Sequence, residues 1–379
     1  IAHARQAGIR TIMITGDYPD TAKALAESIG LLRPGKKVLT GAQLDELTDV
    51  EIERIIEDTD VFARVSPEHK MRIVSALQAN DEIVAMTGDG VNDAPAIKRS
   101  DIGIAMGITG TDVVKESADM VLTDDNYASI VQAVEQGRII YSNIRKFVFF
   151  LLSSNTAEIM IIFLATLAGL PMPLTAIQLL WLNLITDGAP ALALAMEKGE
   201  PDIMLEQPRK KSEPIVNRTM AVGILIQTIA QTAAVLGAFV TGLAWTLVET
   251  GTTPLSGQNW LSFILAYDWR GVDTRTAETM AFATLSITEL FRAYTVRSER
   301  VSLFSIGVFS NPYMQYAVGF SISLLLIICA LPFLQPIFNT RFLPAAEWAV
   351  VLGLALIPAM AEETTKIFLR KNRSGVRAQ

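Results

Sequence analysis

The stretch "AMTGDGVNDAPAIK", residues 85–98, decides how the chain is read. An apolar run at 83–85 passes into two glycines, two aspartates and an asparagine within a few positions. Asp-Gly commonly closes a strand with a tight turn, and one such dipeptide alone implies a turn and nothing more. Here Asp89, Asn92 and Asp93 crowd oxygens at one strand end, which is where open α/β sheets carry their sites. Oxygen-only donor sets suit a hard cation such as magnesium.

The flanking sequence supports an α/β reading. Strands are expected at 11–14, 60–63, 83–86, 102–105 and 120–122, and helices at 20–29, 68–78, 94–99, 112–117 and 127–137. That alternation predicts a parallel, doubly wound sheet. Three strands run into polar segments: "TGD" at 15–17, "ARVSPEHK" at 63–70 and "TGDGVND" at 87–93. Singly, "TGD" is a turn, Lys70 a solvated helix residue and His69 a surface residue. Together they supply a hydroxyl and amides (Thr15, Gly16), a cation (Lys70) and carboxylates for magnesium (Asp89, Asp93). Phosphoryl transfer needs such a set, because its catalysis is mostly positioning and charge neutralisation. The P-loop pattern GxxxxGK[ST] is absent.

Composition divides the chain. Of its 379 residues half are hydrophobic and 19% are charged. Residues 1–140 are rich in Asp and Glu, whereas the remainder is dominated by apolar runs. This predicts a domain at 1–140 and a membrane domain at 141–379. The net charge of −7 argues against a nucleic-acid partner. The single cysteine, Cys329, lies in an apolar run, so no disulfide framework is expected. The chain starts at Ile1 in a helix-then-strand pattern without a signal peptide, and reads as a piece of something longer.

Six segments are long and apolar enough to span a bilayer: roughly 147–170, 174–196, 220–245, 280–304, 313–338 and 348–369, the fourth being the least apolar. Basic residues precede the first and follow the second, fourth and sixth, which places residues 1–140 and the C-terminus on the cytoplasmic side. Polar residues inside the spans stand out because each costs free energy there. Asn155 and Glu158 share a helix face in "SSNTAEI", and Asn183, Thr186 and Asp187 share one in "WLNLITDGAP". Gly188 and Pro190 should loosen that second helix and free its carbonyls toward a cavity. Such broken helices are how transporters hold cations. Interhelical hydrogen bonding is the plain alternative for any one of these side chains. A set without His or Cys disfavours zinc and copper, and mixed oxygen donors suit calcium.

The ordered set "TGD", "FARVSPEHK" and "MTGDGVNDAPAIKRSDIGIAMG" resembles the phosphorylation domain of P-type ATPases, which has the haloacid-dehalogenase fold. "SSNTAEI" and "LLWLNLITDGAPALAL" resemble the fifth and sixth spans of sarco/endoplasmic reticulum type calcium pumps. The resemblance covers nearly the whole chain. It implies a haloacid-dehalogenase-like partial domain followed by an all-α six-helix bundle. By it Asp89 binds magnesium with Asp93 nearby, Lys70 contacts the phosphoryl group, and Thr15, Gly16, Asp17, Arg64 and Asn92 line the phosphate and ATP side. Asn155, Glu158, Thr186 and Asp187 would bind one transported calcium ion, and Asn183 and Asp187 would belong to a second. An ungapped count through "MAFATLSITELFRAYTVRSERVS" puts the family's eighth-span ligand at Glu299, with Glu289 as the in-span alternative. The family's phosphorylated aspartate sits in a DKTGT motif, which does not occur here. The resemblance thus implies partners beyond the lipid bilayer: an actuator domain, a nucleotide-binding domain and four further spans of the same pump. The plasma membrane is the expected location. A pump for sodium and potassium, manganese or protons, and an inactive ion-binding fragment, are the alternatives. A phosphatase head on a membrane anchor would need neither Glu158 nor Asp187 in mid-membrane, and a passive channel would not need "TGDGVND" or Lys70.

Overall fold

Val61, Phe62 and Ala63 are fully buried in one strand, and Ile104 and Ala105 are buried in another. These two strands are the centres of two parallel sheets. In the first, β1 (Met13–Ile14) and β2 (Lys37–Thr40) flank β3 (Thr59–Ala63). In the second, β4 (Ala85–Gly88) and β6 (Met120–Leu122) flank β5 (Ile102–Met106). The expected single sheet is therefore two three-stranded halves, with β1 and β4 at their edges. β2 was not expected, since "KVLT" is short, opens on lysine and is only half-buried. The computed structural model from which this is read describes residues 1–254, 258–298 and 301–376.

Connections after the strands are helical, as parallel pairing requires. α1 (Pro19–Ser28) follows β1, α2 (Pro67–Ala79) follows β3, α3 (Ala94–Arg99) follows β4 and α4 (Asp112–Ser117) follows β5. The start of α2 is closely specified. Pro67 opens it, the His69 amide donates to Ser66 Oγ at 3.3 Å, and the Ser66 amide donates to His69 Nδ1 at 3.0 Å. His69 Nε2 lies 2.7 Å from Asp45. His69 is thus buried in a helix cap and not on the surface as its neighbours in sequence suggested. On β3, Asp60 is fully buried against Arg33, with contacts of 2.6 and 2.9 Å. Burial pushes its carboxyl up, but hydrogen bonds from the side chain and backbone of Arg33 outweigh this, and it titrates below the usual range.

The chain forms two compact units, Ile1–Ile139 with Gly199–Glu213 and Ile140–Lys198 with Pro214–Gln379. A single helix, α5 (Tyr127–Leu167), begins in the first and ends in the second. Next come α6 (Ala176–Trp181) and α7 (Gly188–Ala195), joined by a π-helical turn at Leu182–Thr186. They are followed by α8 (Arg218–Glu249), α9 (Arg275–Thr295), α10 (Pro312–Ala330) and α11 (Ala345–Val376). Five helical stretches are long and apolar enough to cross a membrane, namely α5, α6 through α7, α8, α10 and α11. The protein is a multi-pass membrane protein.

α9 is not among those five, for a physical reason. Every residue from Thr276 to Leu290 is buried, because α7, α8, α10 and α11 pack around it. A helix enclosed by other helices never meets lipid, so it can carry threonines, a glutamate and an arginine. Its 21 residues make it about 30 Å long, enough to match a hydrocarbon core. It also ends at Thr295, short of the expected 304. Just beyond, Arg297 turns to Glu197 with contacts of 2.8 and 2.9 Å and donates to the carbonyls of Gly307 and Val308. Asn311 donates to the same carboxylate at 2.8 Å, so the chain leaving α9 is tied to the end of α7.

α8 and α9 approach each other closely at Gly242. A Cβ there would lie 2.5 Å from Ala277 Cα and 2.9 Å from its Cβ. Alanine is the better helix former by about 1 kcal/mol, whereas forced overpacking costs about 1–3 kcal/mol. Gly242→Ala should therefore lower the thermal unfolding midpoint of the detergent-solubilised chain. A raised midpoint would show that the two helices do not meet here.

Candidate functional site

Two groups of polar side chains stand apart from the packing of the units. The first lies at the carboxyl ends of the strands. "TGD" follows β1, and its Thr15 amide donates to the Phe62 carbonyl of β3 at 2.9 Å. The Arg64 amide donates to the Asp17 carbonyl at 3.1 Å, which brings the loops after β1 and β3 side by side. Thr15 Oγ donates to Asp17 at 3.0 Å. Arg64 holds a left-handed backbone with φ of 55°, and its guanidinium lies 3.8 Å from the centre of the Tyr18 ring. A non-glycine residue in that conformation is uncommon and often marks a functional loop. Gly16, Asp17 and Arg64 are all exposed, as a ligand-facing rim requires.

The second sheet supplies the carboxylates. Asp89 and Asn92 are exposed beyond β4, while Asp93 is buried at the start of α3. Lys70 of α2 forms an ion pair with Asp93. That pair joins the helix after the first sheet to the segment after the second, so Lys70 and Asp93, both expected from sequence, meet. A Cβ on Gly88 would lie 2.5 Å from Asp93 Cβ and 2.6 Å from Oδ2, whereas one on Gly90 meets nothing closer than 3.9 Å. Gly88 is thus required by close approach and Gly90 is not.

The other group lies within the helix bundle. Asp187 is fully buried just after the π turn, whose hydrogen bond runs from its amide to the Leu182 carbonyl at 2.9 Å. Pro190 cannot donate to the Thr186 carbonyl one turn back. The helix is thus broken here, as expected, although the break is centred on 182–186 and not on Gly188. π turns inside helices occur mostly at functional sites. Asp187, Glu158 and Glu289 lie close enough to feel one another's charge. Among the described residues no donor from another side chain or the backbone reaches either oxygen of Asp187, Glu158 Oε1 or Glu289 Oε2, although Asp187 and Glu289 stand close enough to share a proton. Buried polar atoms are rarely left so, and such an orphan asks for an unseen ligand.

The remaining predicted residues fall as follows. Asn183 donates to Glu158 Oε2 at 2.9 Å and to the Leu179 carbonyl at 3.0 Å. Thr186 is buried beside Asp187 in the chain. Asn155 donates back to the Leu151 carbonyl of its own helix at 3.0 Å. Glu299 lies outside the described residues. Glu289, the in-span alternative, is the acid of α9 beside Asp187. Among the described residues no three His, Cys, Asp or Glu side chains close on a common point. A cation held here would need some of its oxygens from carbonyls, hydroxyls or amides, which suits the broken helix.

Gln231 and Arg292 were not singled out from sequence. Gln231 on α8 donates to Glu289 Oε1 at 3.4 Å, and Arg292 on α9 donates to Gln231 Oε1 at 3.0 Å. Both are fully buried. The available signal was polar spacing in apolar helices: Gln227 and Gln231 four apart, Glu289 and Arg292 three apart.

An α/β unit with polar loops at its strand ends is thus joined in one chain to a bundle of apolar helices that buries acidic side chains, the makeup of an integral membrane protein. Residues 171–368 match the family described as cation transporting ATPase, C-terminus, and residues 1–101 and 71–134 match haloacid dehalogenase-like hydrolases. The chain belongs to the cation-transporting P-type ATPase family. Over 94% of its length it is 46% identical to a calcium-transporting ATPase of Bacillus subtilis, covering 37% of that protein. It is 38% identical to calcium-transporting ATPase 1 of Saccharomyces cerevisiae over 97% of the chain and 36% of the relative. It is also 38% identical to the endoplasmic reticulum calcium ATPase srcA of Aspergillus fumigatus, over 98% of the chain and 39% of the relative. The chain thus spans well under half the length of these relatives.

The Gly88 contact leads to a direct test. Gly88→Ala should push Asp93 away from Lys70 and raise the rate at which Lys70 is acylated by an amine reagent, followed by mass spectrometry. Gly90→Ala should leave that rate unchanged. Equal rates in the two variants would show that the ion pair does not depend on the glycine.

Proposed function

We propose that this chain is the part of an ATP-driven calcium pump that carries the ion site and half of the phosphorylation machinery. Residues 1–140 belong to a cytoplasmic phosphorylation domain, and 141–379 form six spans in the plasma membrane, with α9 as the enclosed fourth. The basic residues around Arg145, Arg209, Lys210 and Lys211 support that orientation by the positive-inside tendency. The phosphorylated aspartate belongs to the remainder of the protein, along with the actuator domain, the nucleotide-binding domain and four more spans, and this chain alone does not hydrolyse ATP.

The observation that carries the reading is the set of unpartnered oxygens on Glu158, Asp187 and Glu289 inside the bundle. Buried acids that receive fewer donors than they have oxygens are costly unless a cation or a shared proton compensates them. Asn183, already bonded to Glu158, and the carbonyls of the π turn could complete the shell of a calcium ion, which accepts six to eight oxygens. A fit to magnesium rests on the donor chemistry at the strand ends, where Asp89 is exposed and, among the described residues, has no side-chain partner, and where Asp93 follows four positions on. These two would hold the ion, whose charge would neutralise phosphate oxygens. Lys70 would swing from Asp93 to the phosphoryl group, while Thr15, Gly16, Asp17, Arg64 and Asn92 would orient the phosphate and nucleotide side. The name "calcium-transporting" on the three relatives supports calcium over the alternative cations.

Two variants of the complete pump test the two halves separately. Asp89→Asn should abolish phosphoenzyme formation from ATP while equilibrium calcium binding persists. Equal loss of both would make Asp89 structural. Glu158→Gln keeps size and one carbonyl oxygen but removes a charge. At about 4 Å and an effective dielectric of about 20 a unit-charge pair is worth about 4 kcal/mol, so the calcium concentration for half-maximal phosphorylation should rise by more than about tenfold. An unchanged value with a lowered unfolding midpoint would reduce Glu158 to an interhelical strut.

A further inference from the structure

Arg292 is the one guanidinium among the described residues that is fully buried close to the bundle carboxylates, and the site as described above does not use it. It sits one turn beyond Glu289 on α9, and its surroundings are specific. Nη1 donates to Ser154 Oγ at 3.2 Å and to Gln231 Oε1 at 3.0 Å, and Nη2 donates to Ser153 Oγ. Nε lies 3.8 Å from Glu362 of α11. One side chain therefore reaches α5, α8 and α11 from α9. Ser154 is four residues before Glu158, on the same face of α5.

The chemistry of the fork fixes the neighbouring amide. A guanidinium only donates, so Gln231 must turn its carbonyl oxygen to Arg292. Its NH2 group is then committed to the other side, where it donates to Glu289 Oε1 at 3.4 Å. Were the amide reversed, its oxygen would face a carboxylate and its NH2 a cation. With Oε1 held, Glu289 keeps Oε2 without a donor from α8 and stands close enough to Asp187 to share a proton with it.

We propose that Arg292 and Gln231 are positioning residues for the ion site: the guanidinium sets the Gln231 amide, and the amide holds Glu289 with one oxygen free for the cargo. Resting on the reading of Glu158, Asp187 and Glu289 as an ion site, this goes beyond it by assigning an outer layer that touches no ion. Arg292 also keeps one permanent positive charge beside the acids when no ion is present, which lowers the cost of leaving them empty. The fork does what a lysine could not, because a single ammonium has the charge without the planar geometry that reaches Gln231 and both serines together.

The test uses the complete pump in membranes and calcium-dependent phosphorylation. Gln231→Met keeps length and removes the amide. Outer partners of metal ligands are worth about 10- to 100-fold in affinity, so the half-maximal calcium concentration should rise by about that factor while the maximal phosphoenzyme level stays at the wild-type value. Arg292→Lys should raise it similarly despite the retained charge, and the double variant should be no worse than the weaker-binding single, since both act along one path. A residue that only packs would lower the maximal level and the unfolding midpoint instead. Should Glu158→Gln shift the calcium dependence while Gln231→Met and Arg292→Lys leave it unchanged, the positioning role is wrong and the ion site stands. Should Glu158→Gln also have no effect, the ion site itself is wrong.

Discussion

Charge inside a helix bundle has to be answered by something within hydrogen-bonding reach, because hydrocarbon offers neither water nor counterions. In this protein that constraint is concentrated on α9. The helix is enclosed on all sides through most of its length, and it carries Glu289 and Arg292 one turn apart. Arg292 is answered by two serines of α5, by Gln231 of α8 and by Glu362 of α11. Glu289 is answered on one oxygen only. The broken segment after α6 then adds Asp187, which among the described residues meets Glu289 but receives no donor from an amide, hydroxyl or cation. The two terminal nitrogens of Arg292 are thus bonded while its Nε has only the more distant Glu362, and the acids receive fewer donors than they have oxygens.

Within the first unit the same economy of placement holds in a different medium. Parallel strands all deliver their loops to one end, so residues more than seventy positions apart in the chain reach one edge. The ion pair between Lys70 and Asp93 joins the two half-sheets at that edge. Asp89 and Asn92 remain exposed, as do Gly16, Asp17 and Arg64. Exposure suits groups that must meet a soluble substrate, whereas burial suits groups that must strip an ion of its water.

Much of this was legible in the sequence. "TGD", "ARVSPEHK" and "TGDGVND" each follow an apolar run, and local strand-to-turn grammar suffices to place them. The acids at 158 and 187 stood out because charge is rare in apolar helices. Three things were hidden. The division into two half-sheets depends on which strands find partners, and periodicity carries no information about pairing. The π turn at 182–186 is a shift of one residue in hydrogen bonding, and only the later Gly188 and Pro190 hinted at it. α9 resembled a weak span because burial by protein, unlike burial by lipid, tolerates threonine and glutamate, and Glu289, the in-span alternative to Glu299, is the acid that stands beside Asp187. His69 was misplaced for a similar reason, since a side chain that caps its own helix and reaches Asp45 leaves no pattern in the sequence.

The central claim is that Glu158, Asp187 and Glu289 surround the transported ion. The most direct measurement is an experimental density map of the complete pump prepared with calcium, with the ion located by anomalous scattering. The account predicts one ion peak beside Asp187, with at least one oxygen from Glu158 or Glu289 and the rest of its shell from carbonyls and amides around residues 182–186, and with Gln231 still bonded to Glu289. An ion peak elsewhere in the bundle, with Asp187 and Glu289 unmoved and still without partners, would contradict it.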